Sequence, residues 1–268
     1  MNEAKKILVL NYHLLSDDDI PVQHMPDPLY SVRVSDFLHQ MNLLHEKNIP
    51  VISLSDLVND RFQEKFGVAL TFDDGHFSDY QTVAPTLQAL KFPATFFPFV
   101  NGVGITNRLS WEQLKELSEK GFDIGSHGIS HTLFSELSRE QQLHELKNSK
   151  NVFEEKLGKT VEHFSLPYGW YDKEILELAK TVGYRSMLTT GLKMNFPTKK
   201  PFVIHRWNIK RDTPIEKLET ILENKGSLSL EEKFSAQLKS LTKKSLGLSF
   251  TNRLNVYISK RRKKANDE

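Results

Sequence analysis

Short apolar runs alternate with amphipathic segments along most of this chain. The runs at 7–12, 50–54, 67–72, 94–100, 122–126, 162–166, 184–189 and 202–207 read as strands. Between them the apolar spacing is helical. Segment 35–47 opens with Ser35 and places Leu38, Met41 and Leu44 on one face. Segment 79–91 brings Tyr80, Val83, Leu87 and Leu90 together. Segment 110–120 opens with the capping box Ser110/Gln113 and stops at Gly121, and segment 138–157 repeats the device with Ser138/Gln141 and Gly158. Segment 172–182 runs from Asp172 to Gly183. This βα alternation predicts an α/β fold with a largely parallel sheet. About seven units favour a barrel over an open sheet.

Beyond residue 225 the pattern breaks. Segment 228–268 carries scattered apolar residues among many lysines and ends in Lys260-Arg261-Arg262-Lys263-Lys264. Residues 1–225 therefore read as one α/β domain, and 226–268 as a basic, helical or partly disordered tail. A solvated tail and a segment that touches an anionic membrane surface or a partner are both open readings.

Composition narrows the function classes. The chain has 268 residues with 38% hydrophobic and 26% charged, enough for a real core. A net charge of +2 gives no sign of a nucleic-acid binder. With no cysteine, disulfides, thiolate metal sites and a cysteine nucleophile are excluded. The first apolar run is too short for a signal sequence, and no stretch nears the ~20 apolar residues of a membrane span. We therefore expect a cytoplasmic protein.

The chemistry gathers where the strands end. His13 follows 7–12. Asp73 and Asp74 follow an apolar run through Leu70. His127 and His131 follow 122–126, Pro167-Tyr168-Gly169 follow 162–166, and His205-Arg206-Trp207 close the last strand. In parallel α/β folds, this edge hosts active sites. Two adjacent carboxylates raise one another's pKa unless a cation or strong donors intervene. An Asp-Gly turn needs only one of them. Two suggest that one holds a metal and the other handles a proton. His127, His131 and one Asp would form a two-histidine, one-carboxylate site with open positions. The residues Gly128-Ile129-Ser130 between the histidines have loop composition, so chance spacing on a surface helix is a poor account of the pair.

Thr71-Phe72-Asp73-Asp74-Gly75, Ser126-His127-Gly128-Ile129-Ser130-His131 and Leu166-Pro167-Tyr168-Gly169 together resemble three motifs of the polysaccharide deacetylase family. Flanking segments agree, among them Pro93-Ala94-Thr95-Phe96-Phe97 and Gly121-Phe122-Asp123-Ile124-Gly125. Asn11-Tyr12-His13 resembles the start of members that act on poly-N-acetylglucosamine-type polymers. The resemblance spans about residues 5–210 and implies a distorted (β/α) barrel, commonly of seven strands. It implies that Asp74, His127 and His131 hold a divalent metal, usually zinc, and that Asp73 is the general base. It also implies that the Tyr168 N–H helps hold the oxyanion while Pro167 and Tyr168 shape the sugar groove. The implied reaction is hydrolysis of an N-acetyl group on an amino sugar.

The chain departs from the family in one place. Many members carry an Arg just before Pro-Tyr-Gly, where this chain has His163-Phe164-Ser165-Leu166. We expect Arg206 to pair with Asp73 instead. His205 resembles the family's general acid, yet His205 and Arg206 face opposite sides of a regular strand. His13 is a candidate to line the site or a core histidine. Trp207 is a candidate wall of the acetyl pocket or a core residue. His24, His39, His45, His144 and His163 read as surface or structural. Besides N-deacetylation, the same scaffold could serve an O-acetyl esterase, a deformylase on a lipid-linked sugar, or an inactive carbohydrate-binding relic.

Overall fold

The structure, a computed structural model, describes residues 4–226 apart from 22, 24 and 26. The basic tail, its expected membrane contact and His24 lie outside the described residues. Among the described residues, no helix is long and apolar enough to cross a membrane.

The elements run in the order β1 (Lys6–Tyr12), β2 (Leu14–Ser16), β3 (Ser31–Arg33), α1 (Val34–Glu46), α2 (Leu54–Val58), β4 (Phe66–Asp73), α3 (Ala84–Leu90) and β5 (Ala94–Phe97). They continue with α4 (Trp111–Glu119), β6 (Asp123–Ile124), α5 (Arg139–Leu157), β7 (His163–Ser165), α6 (Lys173–Val182), β8 (Ser186–Thr190), β9 (Val203–Asn208) and α7 (Ile215–Glu223). Seven strands form one sheet in the order β6-β5-β4-β1-β9-β8-β7. Every pairing within it is parallel. The two edges meet just past β6: the Ser126 N–H donates to the His163 carbonyl at 3.0 Å, and the Ser165 N–H to the Ser126 carbonyl at 2.8 Å. The sheet is thus a nearly closed (β/α) barrel. The helix stops fall where expected. Both capping boxes form, and Gly158 and Gly183 end their helices in the left-handed conformation.

Strand alternation divides the barrel interior into two layers. On β1, β4 and β9 the inward positions are Ile7 and Val9, Ala69, and Ile204. With Leu188 and Phe97 they form an apolar cluster. Two residues further along the same strands stand Asn11, Thr71 and Arg206, all buried. The barrel is therefore apolar toward the strand N-termini and polar toward the C-termini.

The structure corrects the expected strand at 50–54. Only Val51 bridges to β4, at Val68, and Ser53 then caps α2 by accepting the Asp56 N–H. The apolar residues read as a strand belong to a plug: Leu54, Leu57 and Val58 pack on the apolar layer with Ile52 beside them. The β2–β3 pair and α7 add elements that the periodicity did not indicate.

Candidate active site

Asp73 is the last residue of β4, on the inward face, and it is buried. Arg206 meets it from β9, two positions past inward-facing Ile204. Its Nη1 and Nη2 donate to Asp73 Oδ1 and Oδ2, each at 2.8 Å. The same guanidinium donates to Asn11 Oδ1 at 2.7 Å and Ser165 Oγ at 2.8 Å, while Asn11 Nδ2 donates to Asp73 Oδ2 at 3.1 Å. Thr71 Oγ1 completes the layer by donating to the Leu10 carbonyl at 2.8 Å. Burial alone would raise the Asp73 carboxyl, but the Arg206 guanidinium and the His127 imidazole outweigh it and hold it well below the usual carboxylate range.

Asp74 leaves the strand in the left-handed conformation, with φ 75°. That turn separates the two carboxylates, so they face different groups. Asp74 Oδ1 lies 3.5 Å from His127 Nε2 and 3.2 Å from His131 Nε2. It is buried and accepts no well-aligned hydrogen bond from any described residue. Its other oxygen faces His76 Nε2 at 3.6 Å and Arg108 Nη1 at 3.9 Å. Arg108 Nη1 also donates to the Asp74 carbonyl at 2.6 Å. Burial pushes Asp74 up, and the imidazoles of His131, His76 and His127 reverse this and keep it ionised.

His127 is buried, and its Nδ1 lies 2.6 Å from the Ser165 carbonyl. A carbonyl only accepts, so Nδ1 carries the hydrogen and the Nε2 lone pair faces Asp74. Burial lowers this imidazole to about 4, so it is neutral at pH 7. His131, at φ 57°, brings its ring within 4.8 Å of that of His127. One ligand atom from each of Asp74, His127 and His131 falls within a 4.8 Å cluster. A buried carboxylate oxygen without a donor, facing two imidazole nitrogens, fits a divalent cation. Gly125 lets the core ring of Phe97 pack against the backbone two residues before His127, because a Cβ there would stand 2.2 Å from that ring.

Other expected residues divide between the site and the outside of the barrel. His13 is half-buried beyond the end of β1, within electrostatic reach of Asp73, Asp74 and Arg206, and its Nδ1 is buried with no partner among the described residues. Tyr168, at φ 61° and half-exposed, sets its ring 5.2 Å from His131 above buried Pro167. His205 and Trp207 do not reach the site. Arg206 takes the inward register of β9, so both neighbours point outward. His205 is pushed down to about 4 by burial and by Lys193. Trp207 lies under Lys217 Nζ of α7, 5.4 Å from its ring centre. His163 is buried in a structural network with Ser55 and Ser186.

Sequence reasoning missed Ser165, Arg108, His76 and Asp79. Ser165 could have been found by alternation, since it shares a face with His163. His76 and Arg108 could not, because loops bring them to Asp74. Asp79 is fully buried with both carboxylate oxygens unpartnered among the described residues. Burial, then the Asp74 charge, push it well above the usual range.

Comparison with known proteins places the chain among polysaccharide deacetylases. The sequence profile described as Polysaccharide deacetylase matches residues 61–187. YxkH of Bacillus subtilis, a protein named for that family, is 30% identical over 207 residues, covering 75% of this chain and 70% of YxkH. A poly-beta-1,6-N-acetyl-D-glucosamine N-deacetylase of Staphylococcus epidermidis is 26% identical over 236 residues, covering 78% of this chain and 81% of the relative. Among solved structures, the Streptococcus pyogenes deacetylase PplD shares the fold with a TM-score of 0.73 at 23% identity, covering 81% of this chain and 98% of PplD. IcaB from Ammonifex degensii does so with a TM-score of 0.70 at 22% identity, covering 84% of this chain and 99% of IcaB.

Proposed function

The chain belongs to the polysaccharide deacetylase family, and on that premise we propose that it is a metal-dependent hydrolase that removes N-acetyl groups from the glucosamine units of a polysaccharide. One observation carries the reading. The donor-free Asp74 oxygen faces His127 and His131, beside a second carboxylate clamped by Arg206. Asp74, His127 and His131 would hold the metal, with zinc the first candidate. When bound, such an ion supplies a Lewis acid that eases water ionisation and polarises an amide carbonyl.

The chain's own groups supply the rest. Asp73 is the general base. Arg206 and Asn11 fix both of its oxygens, and Oδ1 receives only one strong donor, which leaves a lone pair for the proton of an attacking water. We assign His13 as the general acid that protonates the leaving amine, since its Nδ1 is buried without a partner among the described residues and the ring lies within electrostatic reach of Asp73 and Asp74. His205, on the outer face of β9, has no part in the reaction. Tyr168 offers an exposed ring beside His131 for a sugar face. The S. epidermidis relative, with its named polymer and 78% coverage of this chain, supports poly-N-acetylglucosamine as the first substrate to try.

The test is acetate release from that polymer. Treatment with EDTA should abolish it, and zinc added back should restore it. Release that persists in excess chelator overturns the metal dependence, and no release from any N-acetylated saccharide overturns the activity.

A further inference from the structure

The reaction proposed above leaves Glu145 without a task, although it is built into the site. This carboxylate stands on α5 and is 7% exposed. Its Oε2 accepts the backbone N–H of Ile129 at 2.6 Å and of Ser130 at 3.2 Å, and its Oε1 accepts the Ser130 hydroxyl at 2.6 Å. All three donors lie in the segment that joins His127 to His131. The opposite edge of that segment is held too. The Gly128 and Ile129 carbonyls accept the N–H groups of Val100 and Asn101 at 3.0 and 2.9 Å. A Cβ at Gly128 would stand 2.9 Å from Glu145 Oε2, so the backbone passes directly over the carboxylate.

We propose that Glu145 is a positioning residue that sets the separation of the two imidazoles and so tunes the affinity for the divalent metal. The proposal rests on the metal reading above. An ionised carboxylate only accepts, and here every donor it meets belongs to one short loop. A loop with left-handed residues at Gly128 and His131 needs such a clamp to keep both Nε2 atoms turned toward Asp74. A glutamine keeps the shape but presents an NH2 group toward one set of donors, which breaks the clamp.

The experiment is zinc affinity by chelator competition on the full chain, with circular dichroism of the metal-free protein alongside. Glu145→Gln should weaken zinc binding roughly 10- to 100-fold, the range found for partners that orient metal ligands. The metal-free spectrum should be unchanged, and turnover should return as zinc is raised, with KM for the saccharide unaltered. Parent-like zinc affinity in Glu145→Gln overturns the clamp. Should that variant fail to fold, Ser130→Ala removes one donor and leaves the charge, and a loss of about two- to tenfold is expected from the bond removed. Parent-like affinity there overturns the clamp as well. A parent chain that binds neither zinc, cobalt nor manganese overturns the metal reading itself.

Discussion

Arg206 is the residue whose removal would separate the proposed base from the proposed metal site. It is buried and bonds both Asp73 oxygens, yet it touches none of the three metal-site residues. Arg206→Met should lower turnover by about 100-fold or more while zinc content stays near that of the parent. It should also destabilise the fold by about 3–5 kcal/mol, because Asp73 is left as an unpaired buried charge. Asp73→Asn should lower kcat by about 100- to 10,000-fold, with zinc retained. A variant with near-normal turnover would remove Asp73 as the base. His13→Gln and His205→Gln form a contrasting pair. The first should cut kcat and remove the alkaline limb of its pH profile, and the second should leave both near parental. The reverse outcome in rate assays would return His205 to the acid role. Local strain marks the same place, since Asp74, His131 and Tyr168 all occupy the left-handed region.

At the scale of elements, β9 decides the site by its register. Alternation alone states that only one of His205 and Arg206 faces inward. Which one depends on the pairing of β9 with β1 and β8, and that register is a tertiary fact. The residues Asp73, Asp74, His127 and His131 were legible because each ends a strand or opens its loop, and strand ends show as a change from apolar to polar. Both long capping boxes were legible for the same local reason. Segment 50–54 misled because a plug and a strand bury the same residue types. His76, Arg108 and Glu145 left no signal, since loop closure and helix packing bring them in. Ser138 gives a check on the local logic: Ser138→Ala should destabilise by about 1 kcal/mol through the lost cap, read from thermal or denaturant melts, with activity intact.

For the whole molecule, metal and proton act on one equilibrium. Zinc at 100 times its dissociation constant would add about 2.7 kcal/mol to stability. At roughly 2–4 °C per kcal/mol for a chain of this size, Tm should rise by about 5–10 °C, measured with and without chelator. Without metal, stability should fall as pH drops from about 6.5 toward 4. His127 is held at about 4 when folded, against an ordinary ~6.5. Within that window the unfolded chain takes up the proton and the folded chain does not. His13, His76 and His163 are lowered by burial as well and act in the same direction. A melting temperature that is flat across that range in EDTA would contradict the neutral buried imidazoles.

β1 lies between β4 and β9, and the two halves of the Asp73–Arg206 pair are 133 residues apart. A ribosome that has delivered Asp73, Asp74, His127 and His131 has therefore not yet delivered the cation that pairs with Asp73. Until the strand at 203–208 emerges and docks beside β1, the nascent barrel lacks a stave and Asp73 lacks its cation. A fragment that ends between 132 and 202 would carry Asp74, His127 and His131 without Arg206, and one that ends before 145 would also lack the Glu145 and Ser165 contacts that orient the two histidines.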